Sequence, residues 1–232
     1  MKSLAVITAR GGSKRIPKKN IREFCGKPII SYSIQAALGA GCFDEVMVST
    51  DDEEIMQVAR AYGAKIPFPR SKSNSDDFAT TVDVLAEVVR EYQKMGKNFS
   101  YMCCIYPTAP FVTAKKLNTA MQLLYDTDAD SVIPVIPFSF PPQRGLILRD
   151  GNACFQYPEY ALSRSQDLEQ IYHDCGQYYC INVGRFLKHG KFFMENTTAI
   201  ITDEMEAQDI DNLTDWKLAE LKYRMLRNCL KS

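Results

Sequence analysis

The stretch "VITARGGSKRIPKKNI", residues 6–21, joins an apolar run to a strongly basic loop. Residues 3–9 form a mostly apolar run, as expected for a β-strand that is covered on both faces. Two adjacent glycines follow, and the thirteen residues from 10 to 22 carry six positive charges and no acid. A strand that ends in such a loop predicts an anion site at the edge of an α/β sheet, because ligands there lie beyond the carboxyl ends of the strands.

Outward from this strand, strand-like and helix-like segments alternate along the chain. Apolar runs predict further strands over 45–49, 101–106 and 131–136. Helical periodicity and capping residues predict helices over 28–40, 50–62, 80–95, 115–125 and 215–230. This order predicts an α/β fold: a single three-layer α/β/α domain over residues 1–232, with a mostly parallel, Rossmann-like sheet.

Two of these segments carry finer predictions. A proline interrupts the strand at 131–136, and it predicts an irregular or edge position for that strand. In the closing helix, the spacing of Leu218, Leu221, Met225 and Cys229 predicts a buried apolar stripe.

Residues 138–170 interrupt the alternation with aromatics, prolines and a hairpin signal. Apolar segments flank Asp150-Gly151, a dipeptide that favours a two-residue hairpin turn. Because projecting apolar arms usually pack on a partner, we expect 138–170 to be a projecting hairpin arm in a homodimer contact. The alternative is a solvated surface hairpin.

Composition restricts the class of protein. Lys and Arg together number 28, as do Asp and Glu, so a dedicated nucleic-acid binder is not expected. No apolar run approaches the length of a bilayer span, and we expect no membrane partner and a cytoplasmic protein. The 8 cysteines lack CxxC spacing, which is typical of buried thiols in a reducing compartment. For two of them the alternative is a zinc site formed by Cys175 and Cys180 together with His173.

The basic loop has the chemistry of a polyphosphate site. Gly11 and Gly12 let the backbone approach an anion, and Arg10, Lys14 and Lys19 can donate hydrogen bonds to it. Neither the Walker A motif nor the dinucleotide motif G-x-G-x-x-G is present. The loop therefore predicts a triphosphate site of another kind, and a solvated basic turn is the alternative.

The loop "ARGGSKRIPKKNI" (9–21) resembles the signature loop of the CMP-sialic acid synthetase, or acylneuraminate cytidylyltransferase, family. Other segments follow in that family's order: "GKPII" (26–30), "VSTDDEEI" (48–55), "SDDFATTVDV" (75–84), "YPTAPF" (106–111) and "DID" (209–211). Within the family, the chain most resembles the branch that acts on pseudaminic acid. This closer resemblance is seen at Arg15, "FCGKPII" (24–30) and "YHDCGQYY" (172–179). The resemblance implies the nucleotidyltransferase type of fold.

The resemblance also implies a reaction and its nucleotide site. CMP would pass from CTP to the anomeric hydroxyl of a nine-carbon acidic sugar, most closely pseudaminic acid, with release of pyrophosphate. The implied nucleotide-binding residues are Arg10, Gly11, Gly12, Ser13, Lys14, Lys19 and Asn20, and the implied catalytic residues are Arg10, Lys19 and Asp211. Arg15 and Lys18 are expected to be solvated. The alternatives are N-acetylneuraminic or legionaminic acid as acceptor, and a non-catalytic, nucleotide-binding regulatory protein.

The resemblance further implies a metal site and a sugar site. Asp209 and Asp211 would hold Mg²⁺, because an i, i+2 spacing in extended backbone puts both carboxylates on one face. The implied sugar-binding residues are Asp76, Thr80, Thr81, Tyr106, Arg164, Gln166, His173 and Gln177. Tyr106 and Phe111-Val112 differ from the residues typical of sialic-acid-using members, which indicates a different acceptor pocket.

Overall fold

A computed structural model of the chain describes residues 1–76 and 78–229. Its strands are Ser3–Thr8 (β1), Glu23–Phe24 (β2), Lys27–Pro28 (β3), Glu45–Ser49 (β4), Tyr101–Ile105 (β5), Ser131–Pro137 (β6), Leu146–Arg149 (β7), Asn152–Phe155 (β8), Tyr172–Asp174 (β9), Tyr178–Asn182 (β10) and Thr197–Ile201 (β11). Its helices are Ile30–Ala40 (α1), Glu53–Ala61 (α2), Thr81–Lys94 (α3), Ala114–Asp126 (α4), Val183–His189 (α5) and Leu213–Cys229 (α6).

The main sheet has the strand order β11-β6-β10-β5-β1-β4, with β9 paired to the end of β6. Neighbours β1 and β4, β1 and β5, and β6 and β11 are parallel, whereas β10 is antiparallel to both β5 and β6. The mostly parallel sheet is therefore confirmed. Its parallel strands place the ends of β1, β4 and β5 at one edge.

Helices cover both faces of the sheet. Successive side chains of a strand point to opposite faces, so each strand presents apolar residues to helices on both sides. Ala5 and Ile7 of β1 pack in a cluster with buried residues of α1, α2 and α4. Leu4 and Val6 pack on the opposite face with buried residues of α3 and with Phe186 of α5. The three-layer α/β/α arrangement is thus confirmed.

A smaller core lies beside these layers, and we call it the aromatic cluster. Its buried members are Ile16, Phe24, Ile29, Tyr32, Phe111, Ile210, Trp216 and Ala219. The ring of Phe24 makes edge contacts with Tyr32 and Trp216, both with centroids 5.6 Å apart. Because Ile16 belongs to the basic loop and Ile210 to the "DID" segment, the cluster fixes these two distant parts of the chain side by side.

The buried stripe predicted for the closing helix is wrong. Leu218, Leu221 and Met225 are 44%, 57% and 57% exposed, whereas Trp216 and Ala219 are buried in the aromatic cluster. The helix carries apolar residues on two faces, and the face that bears the tryptophan is the buried one. The side chain of Cys229 lies outside the described residues.

Of the two positions predicted for the proline strand, the edge position is wrong, since β6 lies inside the sheet between β11 and β10, whereas the irregular position is confirmed by a break in its pairing. On one side, Ser131 and Val132 pair with β10, and pairing resumes with β9 at Val135. Pro134 falls in the gap between these two ladders. Pro134 has no backbone N–H to donate, and β6 tolerates this inside the sheet because its partner changes from β10 to β9 at that point.

The predicted hairpin is present as β7 and β8, which pair from Leu146 with Phe155 to Arg149 with Asn152. Asp150 and Gly151 connect them with φ of 50° and 82°. Positive φ at both turn positions is the geometry that favours this dipeptide. Within the described residues, no helix has the length and apolarity to cross a membrane.

Candidate active site

A cleft of about 560 Å³ opens where β1 and β5 end. Many residues predicted from the sequence line it: Arg10, Ser13, Lys14, Lys19, Asn20, Thr81, Tyr106, Asp209 and Asp211. The fold therefore brings the basic loop, the start of α3, the end of β5 and the "DID" segment to one place.

Short hydrogen bonds hold the basic loop in shape. The buried Asn20 donates from Nδ2 to the carbonyl of Arg10 at 2.9 Å, and the Ser13 N–H donates to the Gly11 carbonyl at 2.9 Å. Arg10 reaches across the cleft mouth and donates from Nη1 to the Asp76 carbonyl at 3.0 Å. The cations of the loop are thus presented on a fixed backbone.

Gly11 has a packing reason for being glycine. A Cβ at this position would lie 2.6 Å from Oδ2 of Asp52, the residue that caps α2 by accepting from the Ile55 N–H at 3.0 Å. The Gly11 N–H also donates to Oδ1 of Asp51 at 3.3 Å. Gly12, by contrast, has no neighbour within 4 Å of such a Cβ. Gly11 therefore allows the loop to lie against the start of α2.

Lys19 joins the basic loop to the acidic segment. Its Nζ donates to the carbonyl of Ile210 at 2.7 Å, between the two aspartates. Burial lowers the pKa of Lys19, while the charges of Asp211 and Asp209 oppose that shift. The ammonium group is consequently fixed beside two carboxylates in the cleft.

Arg15 and Lys18 are solvated as expected, with side chains 67% and 65% exposed, but only Arg15 lies in the cleft lining. Lys18 points away from the cleft lining and pairs with Glu54 at 2.6 Å. Arg15 lines the cleft, and its Nη2 lies 2.7 Å from Oδ1 of Asp211. The difference arises because Ile16, next to Arg15, is buried in the aromatic cluster beside Ile210.

The backbone of the "DID" segment is anchored while its carboxylates face the cleft. Asp215 accepts from the N–H groups of Asp211 and Asn212 at 2.9 and 3.0 Å. Two carboxylates in a cleft lined with cationic side chains match the donor set of Mg²⁺, which takes one or two carboxylates besides phosphate oxygens and water.

The zinc alternative is wrong for the part of the chain that the structure describes. There, no group of three or more His, Cys, Asp or Glu side chains is placed to hold a metal ion. His173 is exposed on β9, whereas Cys175 and Cys180 are buried. The Sγ of Cys180 lies instead 3.1 Å from the Sγ of Cys103 on the neighbouring strand.

Of the eight predicted sugar residues, two line the cleft and six do not. Thr81 and Tyr106 line the cleft. Thr80 and Asp76 lie at its rim with structural contacts, since Thr80 caps α3 in a capping box and the Asp76 carboxylate accepts from the N–H groups of Phe78 and Ala79. Gln177 is buried behind Tyr106: its carbonyl accepts from the Tyr106 N–H at 2.9 Å, and its Nε2 donates to the Glu206 carbonyl.

The remaining three predicted sugar residues also lie outside the cleft lining. Arg164 is an exposed residue that pairs with Asp167 at 2.7 Å, and Gln166 is exposed beside it. His173 packs on Phe138, with ring centroids 4.6 Å apart. Arg164 and Gln166 belong to the segment 138–170, whereas His173 lies on β9, which pairs with β6 of the main sheet. The role of all three stays a prediction.

Aromatic residues form the wall behind the predicted sugar side. Tyr106 contacts Tyr179 edge to face at 5.6 Å, and Tyr179 stacks on Phe192 at 4.5 Å. The Tyr179 hydroxyl donates to Asp174 Oδ2. Of the two departures seen in the sequence, only Tyr106 reaches the cleft, because Phe111 and Val112 are buried in the core.

Sequence reasoning missed Arg70, a buried cation that lines the cleft. Its Nε donates to Oγ of Ser49 at 3.1 Å, and its Nη2 donates to the Ser49 carbonyl. Burial lowers the pKa of Arg70, and the charges of Asp51 and Glu87 oppose that shift. Arg70 stands in no phosphate motif, so only the fold reveals that it belongs to the site.

Comparison with known proteins gives a consistent result. Residues 4–182 match the family model described as cytidylyltransferase. The chain is 39% identical to the pseudaminic acid cytidylyltransferase of Campylobacter jejuni serotype O:2 over 226 residues, which is 97% of each chain. It is 33% identical to the CMP-N,N'-diacetyllegionaminic acid synthase of Legionella pneumophila, with 95% of each chain covered.

A solved structure supports the fold. CMP:2-keto-3-deoxy-manno-octonic acid synthetase, complexed with CTP, aligns with a TM-score of 0.69 over 98% of this chain and 100% of that one. The two sequences are 18% identical, so this likeness concerns the fold alone. The nucleotidyltransferase type of fold is confirmed.

Proposed function

This chain belongs to the cytidylyltransferase family, and from that premise we propose that it transfers CMP from CTP to the anomeric hydroxyl of pseudaminic acid. One observation carries the proposal. Five cations, Arg10, Lys14, Arg15, Lys19 and Arg70, line one cleft together with the carboxylates of Asp209 and Asp211. A bound nucleoside triphosphate carries about four negative charges, and such a cleft can neutralise it and hold it in place for reaction.

In the proposed reaction, the anomeric oxygen attacks the α-phosphorus of CTP in line. A P–O bond forms to the sugar, the bond to the β-phosphate breaks, pyrophosphate leaves with its electron pair, and the proton of the hydroxyl passes to solvent water. Lys19 would stabilise the charge that develops on the phosphates, because Ile210 fixes its ammonium group in the cleft. Arg10 would orient the triphosphate from the cleft mouth.

Asp209 and Asp211 are the residues that would hold Mg²⁺ in this proposal. Bound there, the ion would withdraw charge from the phosphates and lower the pKa of the attacking hydroxyl. The contribution of the chain is to keep both carboxylates at the cleft, because Lys19 donates to the Ile210 carbonyl and Asp215 accepts from the Asp211 N–H. The metal ion is otherwise expected to take its ligands from the nucleotide and water.

We assign pseudaminic acid as the acceptor because of the similarity to relatives named pseudaminic acid cytidylyltransferase. Tyr106 supports an acceptor pocket that differs from the pocket of sialic-acid-using members. The sugar would lie against Thr81 and Tyr106, since both line the cleft beside the cations. Legionaminic and N-acetylneuraminic acids are the alternative acceptors. A non-catalytic regulatory protein that binds CTP is the alternative of another class.

A pyrophosphate-release assay with CTP, Mg²⁺ and each of the three sugars tests the proposal. We expect kcat/KM to be highest with pseudaminic acid. A higher value with either other sugar would overturn the acceptor while leaving the reaction intact. CTP binding without turnover of any of the three would favour the regulatory alternative.

The carboxylate pair is tested with Asp211→Asn, which is expected to lower kcat at least about 100-fold because charge stabilisation in the transition state is lost. Asp126→Asn is the matched control, since Asp126 is exposed on α4 and lies outside the cleft. Equal turnover in the two variants would remove Asp211 from the mechanism.

We also propose that the protein acts as a homodimer in the cytoplasm. Leu146, Leu148 and Leu162 of the projecting arm are 59%, 77% and 99% exposed, and a partner chain would cover them. The cysteines whose side chains are described are free thiols, as is typical of a reducing compartment.

A further inference from the structure

Arg15 and Asp211 form an ion pair inside the proposed active site. Nη2 of Arg15 lies 2.7 Å from Oδ1 of Asp211, and the two side chains are 67% and 44% exposed. The oxygen that Arg15 contacts is one of the two through which Asp211 can bind a divalent cation. The guanidinium group and a metal ion would therefore compete for the same carboxylate.

The backbone on both sides of this pair is anchored. Ile16, which follows Arg15, is fully buried, and Ile210, which precedes Asp211, is buried in the same aromatic cluster. The Asp211 N–H donates to Asp215, so the carboxylate can change partners without any movement of the main chain. An exchange here needs only rotation of exposed side chains.

Exposed ion pairs are weak, and a guanidinium group binds phosphate through two parallel hydrogen bonds. We propose that Arg15 is an exchangeable counter-ion of Asp211: it neutralises Asp211 in the nucleotide-free protein and moves to the triphosphate when CTP binds. That movement would free Oδ1 of Asp211 for the divalent cation. The inference rests on the proposed function of the cleft.

This exchange makes nucleotide and metal binding interdependent. Without nucleotide, Arg15 covers one of the two carboxylates, so a divalent cation binds weakly. With nucleotide, Arg15 pairs with phosphate and the same cation binds more tightly. By linkage, the cation must strengthen CTP binding by the same factor.

The test measures the binding of Mn²⁺ to the wild-type protein and to Arg15→Gln. Electron paramagnetic resonance of the free ion reports how much Mn²⁺ is bound. Without nucleotide, the variant is expected to bind Mn²⁺ about fivefold more tightly, because Asp211 is no longer covered. The tightening of Mn²⁺ binding by CTP, measured without sugar, is expected to be at least about fivefold smaller than in the wild type. Arg15→Lys, which keeps the charge, is expected to keep nucleotide-free Mn²⁺ binding close to that of the wild type.

Lys18→Gln is the matched control, since Lys18 is in the same loop and pairs with Glu54 outside the cleft lining. It is expected to change neither Mn²⁺ affinity nor its response to CTP. Unchanged or weaker nucleotide-free Mn²⁺ binding in Arg15→Gln, or an undiminished response to CTP, would overturn the exchange. The proposed function would stand in that case if the wild type still releases pyrophosphate, whereas a wild type that binds no CTP would contradict both.

Discussion

At Gly11, a single absent side chain makes room for a carboxylate. The space that its Cβ would fill is occupied by Asp52, whose Oδ1 caps α2. The sequence presents Gly11 and Gly12 as equivalent members of an anion loop. Their surroundings differ, since one glycine contacts a helix cap and the other faces open space.

Gly11→Ala is therefore expected to lower the free energy of unfolding by about 1–3 kcal/mol, through overpacking and disturbance of the cap. Gly12→Ala, which places its Cβ in open space, is expected to change that free energy by less than about 0.5 kcal/mol. Urea unfolding of both variants checks the difference. Equal losses would mean that the contact with Asp52 does not restrict position 11.

The sequence predicts individual site residues only where a motif marks them. Lys19 and Asp211 stand in segments of recognisable composition, and both lie in the cleft. Arg70 and Arg15 are ordinary arginines in the sequence. Their positions depend on long-range packing, of Arg70 on Ser49 and of Ile16 on Ile210, which local patterns do not report.

At the scale of elements, Glu45 ties β4 to its neighbours. This carboxylate is 7% exposed and accepts from the Tyr92 hydroxyl of α3, from Lys97 at 2.9 Å and from Lys65 at 3.2 Å. Burial raises the pKa of Glu45, but these hydrogen bonds and the charge of Lys65 outweigh it, so the pKa lies below its ordinary value. The ionised form is thus favoured in the folded protein.

A group with a lowered folded pKa adds stability above its unfolded pKa and loses that stability as pH falls through the folded value. Glu45→Gln is expected to lower the unfolding free energy by about 1–3 kcal/mol at pH 7. The difference from the wild type should shrink below about pH 4, where the unfolded carboxyl is protonated. Thermal or urea unfolding across that range measures it.

Glu91→Gln is the control for Glu45→Gln, because Glu91 forms an i, i+3 pair with the exposed Lys94. It is expected to change the unfolding free energy by about 0.5 kcal/mol or less. A pH-independent loss in Glu45→Gln would show that packing, and not the charge, accounts for the effect.

Element prediction from sequence was accurate where one signal dominates. Strand 45–49 and the Asp150-Gly151 turn are found as predicted, since an apolar run and a turn dipeptide need no distant partner. The prediction of which face of α6 is buried is wrong because the helix has two apolar stripes. Which stripe is buried depends on Phe24 and Tyr32, which are far away in the chain. The edge position predicted from Pro134 is wrong because β9 and β10 share one side of β6, and Pro134 lies at the break between them.

At the scale of the whole molecule, the projecting arm leaves large apolar side chains uncovered. Leu148→Glu is expected to convert the proposed dimer into a monomer, because it places a charge in the apolar contact. Light scattering coupled to size-exclusion chromatography measures the mass. Leu187→Glu, on α5 and 44% exposed, is the matched control and should leave the mass unchanged. A wild-type protein that is monomeric would contradict the dimer.

The aromatic cluster sets the distance between the basic loop and the carboxylate pair, since Ile16 and Ile210 are both buried in it. That cluster is a small satellite, and the large cores on the two sheet faces belong to other residues. On warming, we therefore expect the aromatic cluster to loosen before the sheet unfolds, so that the basic loop and the carboxylate pair separate in a protein that is still folded. Heat inactivation would then precede global denaturation. In that case the packing of α6 on the aromatic cluster would set the temperature at which activity is lost.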